Sequence, residues 1–264
     1  MHTDNKQTRN ASIAKTVNTY YSQFGEDKIL FEVFQKKTKG FCIEVGANNG
    51  VDDSTTLFFE NLGWKCILVE PNPFLCQQIR MVRNALLYEY AASHQKDTKT
   101  LYIVEGAQRS DGLSTISTNE EVHANIERHG FSTQSVSVQT TTLDDILMHA
   151  HIDQQIDFIS IDVEGHEREV LEGFSIDKWR PYIVLVEDNS ELRNTNVVTY
   201  LKQYGYVRFK RTGVNDWYAH TSSHQLVNLR SIIKMQWLIA KSKILHLLKQ
   251  ISFLRKIKRL LQSI

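Results

Sequence analysis

The sequence predicts an α/β protein: a doubly wound, mainly parallel sheet followed by a C-terminal amphipathic helical extension. Three observations carry this expectation. Short apolar runs alternate with helical patterns from about residue 22 to 220, the signature of β-α-β units. The positions that follow those runs are rich in acids and glycine (Glu44/Gly46, Glu70, Asp162/Glu164, Glu187/Asp188), and ligands of such sheets gather at the carboxyl ends of the strands. From Leu226 onward, apolar residues recur at steps of three and four, which trace one face of a helix.

The elements follow in order. Ile29, Leu30, Val33 and Phe34 fall at helical spacing, with Gly40 placed as a C-cap. Phe41–Val45 is a buried-strand pattern, followed by the Gly-rich GANNG and a helical stretch to Leu62. Lys65–Glu70 is a second strand, and Asn72-Pro73 opens a helix running to about Arg83. Leu86–Ala91, Thr100–Val104 and Ser135–Thr140 read as further strands, and Thr142–Met148 as a short helix. Asp157–Asp162 is a strand entering a helix at Glu167–Gly173; Tyr182–Glu187 is another, followed by a helix near Asn196–Tyr204. Val207–Lys210 and Asn215–His220 close as a hairpin.

The expected organisation is a flexible segment 1–21, one domain over 22–222 and a helical tail over 223–264. The formal net charge of +1 hides an asymmetry: residues 217–264 hold nine cations and no acid, and residues 1–216 a net −8. Composition excludes disorder, collagen and a disulfide miniprotein. Cys42, Cys66 and Cys76 read as buried apolar residues of a reducing compartment. Residues 1–22 have no apolar h-region, and no uncharged apolar run reaches about 18 residues. A cytoplasmic body without a bilayer span is therefore expected.

Glycines after a buried strand let backbone approach a ligand closely, and Glu44-Val45-Gly46-Ala47-Asn48-Asn49-Gly50 has them. A dinucleotide site would place glycine where Glu44 stands. A carboxylate there repels a pyrophosphate but suits a ligand with an ammonium group and no phosphate, such as S-adenosylmethionine. Glu70, ending the next strand, can accept both ribose hydroxyls of an adenosine. Asp162 and Glu164 leave a third strand together, followed by Gly165 and His166, and any of the three side chains could orient an acceptor or serve as base. Read as structure alone, the same residues are strand-end acids, helix-capping groups and a polar turn. An alternative device is Mg²⁺ held by Asp162 with Asp188 and Asn189, lowering the pKa of an acceptor hydroxyl.

Several ordered blocks resemble the FkbM-type S-adenosylmethionine-dependent methyltransferases. They are Ser22–Asp27, Glu44–Gly50, Gly63-Trp64 with Val69–Pro73, Ser110–Ser114, Thr142–Asp144, Asp157–Glu167, Arg180-Pro181 with Glu187, and Asn215–Tyr218. The resemblance covers about 22–220. It implies a Rossmann-like class I methyltransferase sheet, S-adenosylmethionine as donor and a hydroxyl oxygen of a glycan or natural product as acceptor. Glu44, Gly46, Asn48 and Gly50 would surround the methionine part and Glu70 the ribose. Ser22–Asp27, with Gln23, would close over the cofactor, and Asp162 and Glu164 would face the reaction centre. The family tolerates Ala at the place of His166, which argues against an obligatory base there. N-methyl transfer and a non-catalytic scaffold for polysaccharide assembly are the alternatives.

The tail, taken as one helix over 226–264, would be about 58 Å long. Its apolar stripe runs through 226, 229, 233, 237, 240, 244, 247, 251, 254, 257, 261 and 264, with Trp237 and Phe253 on or beside it. Such helices lie in a lipid interface, which would make the protein peripheral on an anionic membrane surface. Packing on its own domain or on a partner helix is the alternative. The acidic body and the lack of a reader motif argue against nucleic acid.

Overall fold

The computed structural model describes residues 19–105, 114–116 and 132–261. The expected flexible segment 1–21 lies outside them except for 19–21, as do Ser110–Leu113, most of the polar insertion after Glu105, and the side chains of the tail beyond Ile251. The chain divides into two compact units, Met1–Glu187 and Asp188–Ile264. The boundary between these units follows the last parallel strand.

The first unit is built on five parallel strands: β1 (Phe41–Val45), β2 (Lys65–Val69), β3 (Leu86–Tyr88), β7 (Phe158–Ile161) and β8 (Ile183–Glu187). Their order is β3-β2-β1-β7-β8. The chain winds outward from β1 to β3 and returns on the other side of β1, so the loops after β1 and β7 part at a topological switch point. Every residue of β1 is buried, as a central strand covered on both faces requires. A smaller sheet joins β4 (Ala91–Ala92), β6 (Ser132–Thr141) and β5 (Asp97–Glu105) around Leu101, Ile103, Ile116 and Val138.

Among the described residues, six helices serve this unit: α1 (Glu26–Val33), α2 (Leu57–Leu62), α3 (Pro73–Val82), α4 (Leu143–His149), α5 (Glu167–Glu172) and α6 (Ile176–Trp179). α3 starts as its sequence dictates, with Asn72 accepting the Phe74 N–H at 3.0 Å and Pro73 in the first position. Gly40 is not a helix cap. α1 ends at Val33, and Gln35 and Lys36 take the left-handed conformation. A Cβ at Gly40 would lie 2.5 Å from Trp64 and from the Asp157 carboxylate, so this glycine admits the ring that packs beneath β1. The helix expected directly after the Gly-rich loop begins only at Leu57, and residues 46–56 are irregular.

The second unit holds α7 (Asn196–Gln203), the antiparallel pair β9 (Tyr206–Thr212) and β10 (Asn215–His220), and α8 (Leu229–Leu261). Buried Asp216 accepts hydrogen bonds from Arg208 at 2.6 Å and Arg211 at 2.8 Å, which fastens the hairpin from within. α8 packs on β9. Its 33 residues span about 50 Å.

Candidate active site

Strand register assembles the site. Val45 pairs with Val69 on one side and Ile161 on the other, and Ile161 pairs with Val186. One residue further along each strand, Gly46, Glu70, Asp162 and Glu187 therefore form a row across four carboxyl ends. Gly46 donates its N–H to Val69 O (2.9 Å), and Asp162 donates to Val45 O (3.0 Å). The two loops touch here: a Cβ on Gly46, whose φ is +81°, would lie 1.7 Å from the Asp162 carbonyl oxygen.

The loop after β1 is held by buried charge. Glu44 accepts from Ser54 Oγ (2.8 Å), Thr55 N–H (2.6 Å) and Thr56 Oγ1 (2.5 Å). Arg83 lies 3.7 Å from it and donates to Glu60 (2.7 Å), Gly50 O (2.7 Å), Ser54 Oγ (3.1 Å) and Thr56 Oγ1 (2.9 Å). Glu44 was expected beside the methionine part of a cofactor. Both of its oxygens accept hydrogen bonds from residues 54–56. Arg83 escaped the sequence reading because its partners come from β1, α2 and the loop, none of them near in sequence.

Glu70 is buried. One carboxylate oxygen accepts the Asn48 N–H at 3.0 Å and the other the Asn72 N–H at 2.9 Å. Asn48 and Gly50 both take positive φ, so the loop curls back over Glu70. Burial pushes the Glu70 carboxyl up to about 7, against the pull of its two N–H donors.

Asp162, Glu164 and Glu187 bring carboxylate oxygens within 4.8 Å of one another. Asp162 is exposed as a residue, yet protein surrounds its carboxyl closely enough to desolvate it. Desolvation raises its pKa, a hydrogen bond from Glu187 lowers it, and Glu44, Asp53 and Glu26 raise it further. Glu187 is pushed well up, first by burial and then by Asp162, Glu164 and Glu167. Glu164 is pushed up to about 8, first by burial and then by Asp162 and Glu167. It sits at φ 51°, a left-handed position uncommon for a residue with a Cβ, ahead of Gly165 at φ 96°. Thr115 Oγ1 pins the turn by donating to Glu164 O at 2.8 Å. Glu187 ends β8 in register with Asp162, and that pairing is the signal that would have added it to the candidate set.

The remaining candidates are His166, Gln23, Asp188 and Asn189. His166 is buried with Nε2 3.0 Å from Ser93 Oγ and Nδ1 3.6 Å from Glu169, and burial lowers its pKa. The Ser93 contact ties the start of α5 to the β4 region. Gln23 is exposed in a segment where Asp27 accepts from the N–H groups of Tyr21 (2.6 Å) and Ser22 (3.3 Å), and Ser22 bridges to Asp53. Asp188 belongs to the second unit; its carboxylate accepts from Ser190, the Leu192 N–H (3.0 Å) and Arg211 (3.2 Å). The three-acid group among the described residues is thus Asp162, Glu164 and Glu187, a different set from Asp162, Asp188 and Asn189.

These buried acids set a pH dependence of stability. A carboxyl whose folded pKa is raised binds its proton more tightly folded than unfolded. Its stabilising contribution is full below the unfolded pKa and is lost as pH rises through the folded one. For Glu70 the shift from 4.5 to about 7 corresponds to at most about 3 kcal/mol. The ligand-free protein is expected to melt several degrees higher at pH 5.5 than at pH 8.5 in scanning calorimetry; a flat or rising profile would contradict the raised carboxyls.

No curated protein matches the chain. Similar solved structures include a precorrin-6y C5,15-methyltransferase from Geobacter metallireducens GS-15, with 14% identity, 73% of this chain and 84% of that one covered, and a TM-score of 0.37. A fibrillarin/Nop5p complex shows 11% identity over 75% of this chain and 80% of that one, with a TM-score of 0.38. The family model described as the methyltransferase FkbM domain matches residues 44–208, more than half of the chain and the whole row of strand-end residues, so the chain belongs to the FkbM methyltransferase family.

Proposed function

We propose that the protein is an S-adenosylmethionine-dependent O-methyltransferase acting on a hydroxyl of a saccharide, glycan or related small molecule. The observation that carries this reading is the strand register that brings the Asp162, Glu164 and Glu187 carboxylate oxygens within 4.8 Å of one another beside the Gly46 loop. The cofactor's chemistry fits the residues present. Gly46 has no room for a side chain, Glu70 offers a buried carboxylate beside the Asn48 turn, and the acids around Asp162 suit a cation. Glu70 would take the ribose hydroxyls, and the Gly46, Asn48 and Gly50 backbone the methionine part, with Gln23 nearby. When bound, the cofactor supplies a methyl group on a sulfonium that departs as a neutral thioether and needs no acid.

The chain's own residues then have two tasks. The Gly46–Gly50 loop and Asp162 hold donor and acceptor in line, the positioning on which such displacements depend. Asp162 accepts the proton of the acceptor hydroxyl as the new C–O bond forms, a step that an amine acceptor entering as a free base does not need.

Calorimetry with S-adenosylmethionine and S-adenosylhomocysteine tests the donor. Micromolar-range binding is expected, weakened at least about tenfold by Glu70→Ala, which removes a charge-assisted partner of the ribose. No binding at millimolar cofactor would sink the methyltransferase reading. Transfer of a carbon-13 methyl group tests the acceptor, since the shift of the product carbon separates an O-methyl from an N-methyl group.

A further inference from the structure

We propose that the solvent-facing apolar stripe of α8 docks flat on an anionic lipid surface. The helix has two sides that differ sharply in burial. One is marked by Met235, which is 2% exposed, with half-buried Leu238, Ile239, Ser242 and His246. Ser242 Oγ donates to Glu191 O at 2.5 Å and Lys249 Nζ to the Glu191 carboxylate at 3.0 Å, so this side is fastened to its own unit. The other side carries Leu229, Ile233, Trp237, Ile244 and Leu247, exposed by 75, 58, 60, 59 and 57%. At 3.6 residues per turn these five fall within about a quarter of the circumference, opposite Met235.

A continuous exposed stripe of this size needs a cover. Its flanks say which. Arg230, Lys234 and Lys241 lie along one edge and Lys243 along the other, all exposed, while residues 217–264 contain no acid. Lys241 Nζ stands 5.3 Å from the Trp237 ring centre, an aromatic ring with a cation beside it, as at the headgroup level of a bilayer. A second copy of the same stripe would bring these cations against one another, whereas acidic headgroups complement them. Among the described residues no helix is long and apolar enough to cross a membrane, so the helix would lie along the surface and not enter it end-on.

The test is co-sedimentation of the full-length protein with vesicles of phosphatidylcholine alone or with about a third phosphatidylserine. Binding to the anionic vesicles is expected to exceed that to neutral ones at least about tenfold and to weaken with salt. The double variant Ile233→Glu, Leu247→Glu should lose that binding while keeping its melting temperature, because both side chains already face solvent. Removing the tail at 222 is a poorer test, since α8 packs on β9. A blue shift of Trp237 emission on anionic vesicles, absent in Trp237→Phe, would place the stripe itself in the lipid. Equal binding to both vesicle types, or unchanged binding by the double variant, overturns the proposal. So does concentration-dependent dimerisation that the double variant abolishes in the absence of any vesicle binding.

Discussion

Replacing Asp162 by Asn is expected to lower kcat by about 10²–10⁴-fold, the range that a positioned base contributes. Cofactor affinity should fall by no more than about tenfold, because the substitution removes one Coulombic partner and leaves the loop contacts in place. Those contacts use the Asp162 backbone: its N–H bonds Val45 O, and its carbonyl lies against Gly46. Glu187→Gln separates positioning from base catalysis. The amide still donates to Asp162, so activity near neutral pH should stay within about threefold of wild type, whereas Glu187→Ala removes the donor and should cost about tenfold, or 1.4 kcal/mol. The pH profile supplies the sign. Desolvation raises the Asp162 pKa, so kcat/KM should climb with pH across a limb above the ordinary carboxylate range and then level off. A second change at higher pH, where Glu187 loses its proton, should vanish in Glu187→Gln. If Asp162→Asn turns over at the wild-type rate, the base assignment fails while the family membership stands.

The strands were legible because their chemistry is local. A central parallel strand is buried on both faces and must be nearly all apolar, and Phe41–Val45, Cys66–Val69, Phe158–Ile161 and Ile183–Val186 are such runs. The acids ending them were legible as candidates for the same reason: a charge terminating an apolar run stands out. Partnership was not legible. The row of Gly46, Glu70, Asp162 and Glu187 depends on strand order and register, which no window of sequence contains. Glu44 and Asp162 therefore looked alike, although one is engaged by Arg83 and three hydroxyl or amide donors and the other opens to solvent. The tail repeats the lesson. Its apolar period is plain in the sequence, but Met235 lies off that stripe and marks the side that packs, while the stripe itself faces out. Periodicity reports that a helix has an apolar face, and tertiary packing decides whether that face is the buried one.

Gly46→Ala should be the most damaging single-methyl change in the protein. Two costs combine at this position. The backbone φ of +81° disfavours any residue with a Cβ by about 1–2 kcal/mol. The methyl would also stand 1.7 Å from the Asp162 carbonyl oxygen and 2.9 Å from its carbon, both backbone atoms held by the β1–β7 ladder. Neither can yield without parting the two strands at their carboxyl ends, which would take Asp162 out of line with Glu70. The expected outcome is a stability loss of about 3 kcal/mol or more, with S-adenosylmethionine binding undetectable by calorimetry. Gly63→Ala is the matched control: its φ is +96°, but nothing lies within 4 Å of the added Cβ. That variant should lose only the backbone term, about 1–2 kcal/mol, and bind cofactor normally. Equal losses in the two variants would mean that backbone strain alone makes glycine necessary at Gly46, and the close crossing of the two loops would no longer explain how the site is assembled.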